Sequence, residues 1–485
     1  MSNRTALGRS TTFVAAGQAA VKSTQLVVAL LLVRLLSVDA WNQVAFVLSI
    51  HLAIVTFGAL GLQHGLLFFV ARNPQHARPL VLRTAGITLG VGLAVSGVLW
   101  LIADAIGRSL SVASVIPTIG LAAAFELCTV GLPSALIALQ RFRIAAAWDI
   151  VNSLVVVSLV GLAAAGSGTV EAVVGALAAA AIVRLVAFAA LTMALPRQIP
   201  YAATTTISAR EQLIYSLPLG LTLAANVINR TIDKWYIAAF EPSQLGRYTI
   251  AAQEIPLLAV LPYAGGAVIA TEMARAFGRS DTATASTLWL NQTRSMTRLV
   301  VPMTMALILT APELLRLLVG ASSPIMVLTF QLFTAITLHR VAEYGLLLRV
   351  AGRPGAVLSS ALVLLGANMV LALVGVLIAG PAGAAAGTLT ANALAWIFVL
   401  HRISQALGTS LRHSFPWREW AAAVAVSALA ALAAGRIATL VHTTAGALVV
   451  KATCFATLVI VTTHLGRLKA FVRRPSVEEA TWPSS

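Results

Sequence analysis

Charge is what this chain has least of. Only 10% of its 485 residues are Asp, Glu, Lys or Arg, and 16 of them are acidic. With 59% hydrophobic content and a mean hydropathy of +0.90, too little polar side chain remains to cover a soluble domain. Cysteine is equally scarce. Cys128 and Cys454 fall inside apolar runs with no metal-ligand spacing around them and read as small buried hydrophobes. The sequence holds no Walker motif, no paired-carboxylate loop and no zinc signature, which leaves ATP-driven transport and metal chemistry unsupported and no cofactor expected. It also lacks the sizeable loop that a membrane enzyme needs for its catalytic groups, so the chain reads as a non-enzyme. The alternating ten-residue pattern of a β-barrel is missing as well.

What is present is a succession of apolar runs long enough to cross a hydrocarbon core. They cover residues 12–36, 43–70, 83–104, 112–139, 143–165, 170–194, 211–239, 247–273, 289–311, 324–348, 356–379, 381–403, 419–440 and 444–466. The expected fold is an all-α polytopic membrane protein of about 14 transmembrane helices. The first run follows Arg4 and Arg9 as a secretory signal would. Its length, its internal Lys22 and its continuation to Arg34 make it an uncleaved first span.

Basic residues sort by loop. About 22 of the 33 fall on one side of the spans and about 5 on the other, which makes the richer side cytoplasmic and places both termini there. The location expected is the cytoplasmic (inner) membrane. The net charge of +17 is then mostly a topology signal, and no nucleic-acid partner is expected. The outer loops are all short. The longest connections, 195–210 and 274–288, are cytoplasmic; the second is expected to lie along the membrane surface.

The chain repeats itself. A span ending at Arg34, a turn at Ser37–Ala40 and a new span opening on Trp41–Asn42 recur as Arg230–Phe240, a turn at Glu241–Ser243 and an opening at Gly246–Tyr248. Val70–Ala71–Arg72 matches Met273–Ala274–Arg275, and the small-residue joint at 163–168 matches AGPAG at 379–383. The division expected is an N-lobe of spans 1–6 (1–200), a pseudo-symmetric C-lobe of spans 7–12 (201–408), and two appended spans with a tail (409–485).

Four stretches carry a family resemblance: Gly246-x-Tyr248 after the Asp233-bearing span, LLSVDAWNQVAF at 35–46, FGALGLQHGLLFFVAR at 57–72, and RPGAVLSSALVLLGANMVLALVGVLIAGPAGAAAGTLTA at 353–391. They resemble the polysaccharide transporter family, the O-antigen flippases, of the multidrug/oligosaccharidyl-lipid/polysaccharide exporter superfamily. The resemblance covers spans 1–12. The chain departs from the pattern at Asn42, which stands where the second repeat has Gly246. The resemblance implies a flippase that carries a polyprenyl-pyrophosphate-linked oligosaccharide from inner to outer leaflet for surface polysaccharide assembly. It also implies two lobes rocking by alternating access and an ion gradient as the driving force.

Ionisable residues inside spans are costly and mark cavities or pairs. Lys22 and Arg184 lie near the middle of spans 1 and 6, and Arg230 about one turn outward in span 7. Arg230 and Lys234 share a face, with Asp233 beside them. Lys22, Arg230, Lys234 and Arg184 are the candidate cavity cations for a pyrophosphate, since arginine forks onto two phosphate oxygens and lysine adds a point charge. The alternative makes Asp233 a structural partner of Arg230 or Lys234. Glu126 and Asp233 are the candidates for ion coupling, with a Glu126–Arg184 pair as the alternative for the former. Asp149 is expected to pair with Arg141 or Arg143, Arg340 with Glu343, and Lys451 to snorkel; His51, His64 and His339 read as interhelical hydrogen bonders.

The partners expected are a lipid-linked glycan, the bilayer, and a polysaccharide polymerase or other assembly protein, with a monomer sufficient for transport. The competing readings are a cation-coupled drug exporter of the same superfamily, which calls for an acidic or aromatic lining, and a lipid II flippase.

Overall fold

The computed structural model describes residues 20–21, 23–24, 26–195, 207–320, 323–441 and 443–472. Among them every regular element is helical. In chain order the α-helices are α1 (Leu26–Leu35), α2 (Val38–Gly58), α3 (Leu62–Arg72), α4 (Ala77–Leu101), α5 (Ala103–Gly107), α6 (Ile116–Thr129), α7 (Leu132–Ala138), α8 (Phe142–Gly166) and α9 (Val170–Met193). After the 195–210 segment come α10 (Ala209–Phe240), α11 (Leu245–Ala251), α12 (Pro256–Gly278), α13 (Thr282–Val319), α14 (Pro324–Ala335) and α15 (Tyr344–Val350). The last three are α16 (Pro354–Leu407), α17 (Trp417–Ala438) and α18 (Thr444–Val472). Nine stretches among the described residues are long and apolar enough to cross a membrane, and two shorter apolar helices, Leu26–Leu35 and Pro324–Leu338, accompany them.

The helix ends follow local chemistry. Ser37 accepts from the Ala40 N–H at the start of α2, and Thr169 caps α9. Ser208 and Glu211 exchange bonds in a capping box at the start of α10. The stretch 274–288, expected as a connection along the membrane surface, is almost wholly helix. α12 runs on to Gly278, α13 starts at Thr282, and the turn between them is closed by Asp281 accepting from the Thr284 N–H. Thr284 holds the Asp281 carboxyl below its ordinary range.

Several spans are discontinuous. α2 gives way to α3 at Gly61, which is left-handed (φ 71°). α11 and α12 are separated by non-helical backbone at 253–255, and α14 and α15 by a short 3-10 turn and residues 339–343. The run named α16 contains a fold-back, since Ala379 and Gly380 leave helical geometry and Gly380 has φ 56°. Its two halves return so closely that a Cβ on Gly375 would strike the Gly383 backbone, and one on Gly387 the Leu371 backbone. This is the AGPAG joint read from the sequence.

Packing divides the chain into two compact units. One holds the described residues up to Leu257 together with Ser323–Phe333 and Gly352–Arg402. The other holds Leu258 to 320, Thr334–Ala351 and the described residues from Ile403 onward. In the first unit a cluster of Leu66, Phe69, Val70, Leu80, Leu132 and Trp148 ties α3, α4, α7 and α8 together. α3 packs on α10 through the approach of Gly61 to Gly220 and stacking of Phe68 on Tyr215, ring centroids 4.5 Å apart. In the second unit α17 and α18 pack on α13 around Ala430, Ala434 and Phe455.

Candidate functional site

The triplet Arg230, Asp233 and Lys234 sits near the end of α10, and the helix splits it by direction. Asp233 turns inward and is 2% exposed, while the Arg230 side chain is 60% exposed. Asp233 is held by hydrogen bonds: its Oδ2 accepts from the Tyr248 hydroxyl of α11 at 2.7 Å, and its Oδ1 from the Lys234 backbone N–H at 2.9 Å. Tyr248 packs edge-on against Phe333 of α14. The carboxylate beside Arg230 is therefore Glu254, 3.4 Å away in the break between α11 and α12. Lys234 curls back so that its Nζ donates to the Arg230 carbonyl at 2.9 Å. The break thus brings together Arg230, Lys234 and Glu254. Next to them Asn368 of α16 donates to the Asn229 carbonyl at 3.0 Å, and the side-chain oxygens of both asparagines are buried without a protein partner.

Arg184 stands in a second cluster. Its guanidinium meets Glu126 Oε1 at 2.5 Å, and His51 Nε2 of α2 meets Glu126 Oε2 at 3.3 Å. Asp149 of α8, expected to pair with Arg141 or Arg143, is within electrostatic reach of Arg184. Of the four candidate cavity cations, Arg230 and Lys234 are neighbours, Arg184 belongs to the Glu126 cluster, and Lys22 lies outside the described residues. No group of three or more His, Cys, Asp or Glu that could hold a metal occurs among the described residues.

A third arrangement joins the two turns of the sequence repeat. Trp41 Nε1 donates to the Gly246 carbonyl at 2.8 Å, Gly246 N–H donates to Asn42 Oδ1 at 2.7 Å, and Asn42 Nδ2 donates to the Ser243 carbonyl at 3.1 Å. Trp41, Asn42 and Gly246 are buried, while Ser243 is exposed. A Cβ on Gly246 would collide with the Trp41 ring, so the closeness of α2 and α11 requires glycine there. Further along, Trp235 of α10 donates to Ser49 of α2 at 3.1 Å. The sequence marked Asn42 as a departure from the repeat; that its amide completes the partner turn was not readable without the contact.

One further ionisable reading changes: Lys451 pairs with Glu313 of α13 at 2.7 Å, both side chains about 15% exposed, instead of snorkelling. Glu343 meets Arg349 at 3.2 Å.

The comparisons agree with this architecture. The family model described as polysaccharide biosynthesis protein matches residues 7–270. Among solved structures the chain is similar to the lipid II flippase MurJ in an inward closed conformation, with TM-score 0.70 and 11% identity over 94% of this chain and 99% of that one. It is similar to a multidrug resistance MATE family transporter of the MOP superfamily in an inward-facing conformation, with TM-score 0.61 and 14% identity over 80% and 95%. It also resembles a MOP superfamily transporter from Pyrococcus furiosus, described for the reverse polarity of its binding pocket, with TM-score 0.55 and 15% identity over 84% and 96%. Curated protein sequences yield no match. With more than half its length matched by that model, and with its fold similar to those transporters, the chain belongs to the polysaccharide biosynthesis protein family and has the MOP-superfamily transporter fold.

Proposed function

We propose that the protein is a flippase that moves a polyprenyl-pyrophosphate-linked oligosaccharide from the inner to the outer leaflet by alternating access, for surface polysaccharide assembly. Arg230 carries the reading. An arginine within a span, 60% exposed and beside a break in the facing helix, calls for a water-filled cavity, because hydrocarbon would not tolerate it there. Its carboxylate partner is loosely placed at 3.4 Å, a contact that a pyrophosphate can displace with bidentate geometry. Lys234 adds a second cation, and the buried amides of Asn229 and Asn368 offer polar atoms for a sugar or phosphate oxygen. Lys22 joins this set on sequence grounds alone, and Arg184 is assigned to the Glu126 cluster. The lipid II flippase among the structural neighbours is consistent with a pyrophosphate-linked lipid as the class of cargo.

Depletion tests the reading. The lipid-linked glycan should accumulate on the cytoplasmic leaflet, with wild-type protein restoring export, Arg230→Lys restoring part of it and Arg230→Ala none. Unchanged leaflet distribution of every lipid-linked glycan on depletion would sink it.

A further inference from the structure

Arg184, Arg230, Arg294, Arg349 and Lys451 each meet a carboxylate. Two arginines of the first unit, where α4 and α8 begin, do not. Arg78 Nη2 lies 3.4 Å from the Met193 sulfur, and Arg141 Nη1 donates to the Ala194 carbonyl at 3.5 Å, so both guanidinium groups come to neighbouring residues at the end of α9. Among the described residues neither has a carboxylate within ion-pair distance, and Arg78 Nη1 is enclosed without an acceptor. Arg143 adds a third guanidinium in the first turn of α8, which holds no acidic residue. The carboxylate on α8 is Asp149, about two turns further in and within electrostatic reach of Arg184. Arginines that only cap a helix end bond its carbonyls at about 2.9 Å. Here one contact is to a sulfur and the other is stretched, which leaves donors to spare. Three charges of one sign at one membrane boundary suit an anion with several acceptor oxygens.

A second feature lies directly below. Arg143 heads a stripe on α8 that continues through Ala147, Ile150, Leu154 and Val157 at spacings of four and three. Ile150, Leu154 and Val157 form one wall of an apolar groove, and Ala20, before α1, and Val27 of α1 form the other. The Thr24 hydroxyl at its edge is spent on the Ala20 carbonyl. At 1.5 Å per residue the groove runs from about 10 to about 20 Å inward of Arg143. Half a hydrocarbon core is about 15 Å deep, beneath a headgroup layer of about 6 Å. The groove therefore lies at the depth of an acyl chain and the arginines at the depth of its phosphate. A soluble phosphate would use the arginines and leave the groove. A zwitterionic lipid would bring its own ammonium to a place already positive. A phospholipid with a net negative head suits both parts.

We infer that Arg78, Arg141 and Arg143, together with the groove between α1 and α8, form a binding site for one anionic phospholipid of the leaflet that the arginine distribution assigns to the cytoplasm. The phosphodiester oxygens accept from the guanidinium groups, and one acyl chain lies along Ile150, Leu154 and Val157. The head then joins the start of α4 and α8 to the end of α9, and the chain joins α8 to α1. The lipid is in this way a structural ligand of the first unit. It uses none of the residues assigned above to the cargo, and the site holds whichever cargo the protein carries.

The test needs no glycan. Full-length protein in detergent is titrated with phosphatidylglycerol or with phosphatidylcholine of the same acyl chains, and bound lipid is counted by native mass spectrometry. Phosphatidylglycerol should bind more tightly. Arg78→Gln and Arg141→Gln should each weaken its binding about fivefold, and Arg141→Lys, which keeps the charge, by less. Leu154→Trp fills the groove from an exposed position and should also weaken it, with the thermal melt unchanged. Arg418→Gln removes an exposed arginine from α17 of the second unit and should leave the affinity as it is. An equal loss in Arg418→Gln would mean diffuse attraction to a basic surface and overturn the site. Equal affinity for the two lipids would overturn it too, as would wild-type affinity in Arg141→Gln or in Leu154→Trp. Displacement of the lipid by an equimolar amount of sn-glycerol 3-phosphate would make this a site for free phosphate and refute the lipid assignment.

Discussion

At the scale of residues, the chain handles charge in the membrane by three means. Asp233 is buried and satisfied by a hydroxyl and a backbone N–H, Glu126 is shared between Arg184 and His51, and Lys451 and Glu313 form a single enclosed pair. Each has a different mutational signature. Tyr248→Phe leaves Asp233 Oδ2 without its donor in a buried place and should cost about 1–3 kcal/mol, read as a lower melting temperature of the purified protein. Lys451→Met should cost more, about 3–5 kcal/mol, by stranding the Glu313 carboxylate, and Lys451→Met with Glu313→Leu should recover most of that loss. If the double variant melts no higher than the single one, the pair is not the source of the stability. Arg230→Ala, by contrast, removes a side chain that is largely open. It should leave the melting temperature within about 0.5 kcal/mol of wild type while abolishing export. The sequence marked these groups by the oddity of charge within apolar runs. It gave the Glu126–Arg184 pair as an alternative but not the partners of Arg230 and Lys451, because Glu254 and Glu313 are far along the chain from them or in a break that hydropathy does not register.

Among elements, breaks matter as much as helices. The joint at Gly380 was legible because alanine, glycine and proline cluster there, and so was the division of the apolar runs into spans. The interruption at 339–343 was not, since TLHRVAEYG has no proline and its one glycine lies beyond the break; tertiary bonds such as Trp420 Nε1 to the Leu338 carbonyl at 2.7 Å hold it open. The clasp of Trp41 and Asn42 on the Ser243–Gly246 turn is the element-scale contact most exposed to test. Gly246→Ala should force the Trp41 ring aside and separate α2 from α11, so a cysteine at Ser243 should react faster with a water-soluble thiol reagent in Gly246→Ala than in wild type. Asn42→Ala, which leaves the Gly246 N–H and Ser243 carbonyl without their partner, should do the same more weakly. Equal labelling rates in all three backgrounds would mean the turns part without regard to these bonds.

At the scale of the whole molecule the question is orientation. From the arginine distribution we predict that the α12–α13 turn is cytoplasmic and residues 109–111 external. A cysteine replacing Arg279 should resist an impermeant reagent in intact cells and react after permeabilisation, whereas one replacing Ser111 should react in both. The reverse pattern would invert the topology, and with it the direction of transport. The two lobes expected at 1–200 and 201–408 rest on sequence symmetry and stay a proposal beside the division by packing, which places α10 and α11 with the first nine helices. That a single copy suffices for transport is likewise an expectation, checked by whether activity scales linearly with protein in vesicles holding at most one molecule.

The clasp has a bearing on how a doubled chain diverges. When two copies of one segment meet about a two-fold axis, each side offers the other the same surface. Here that is impossible at the central position. The Asn42 amide behaves as a stray peptide group, accepting from one residue of the opposite turn and donating to another, and it fills the space in which a side chain at 246 would have to stand. Two asparagines would collide, and two glycines would leave the facing peptide groups with nothing between them. If the two turns are copies of one segment, as the sequence repeat leads us to propose, the two had to become unlike, one a key and the other its bare slot, for the halves to fit.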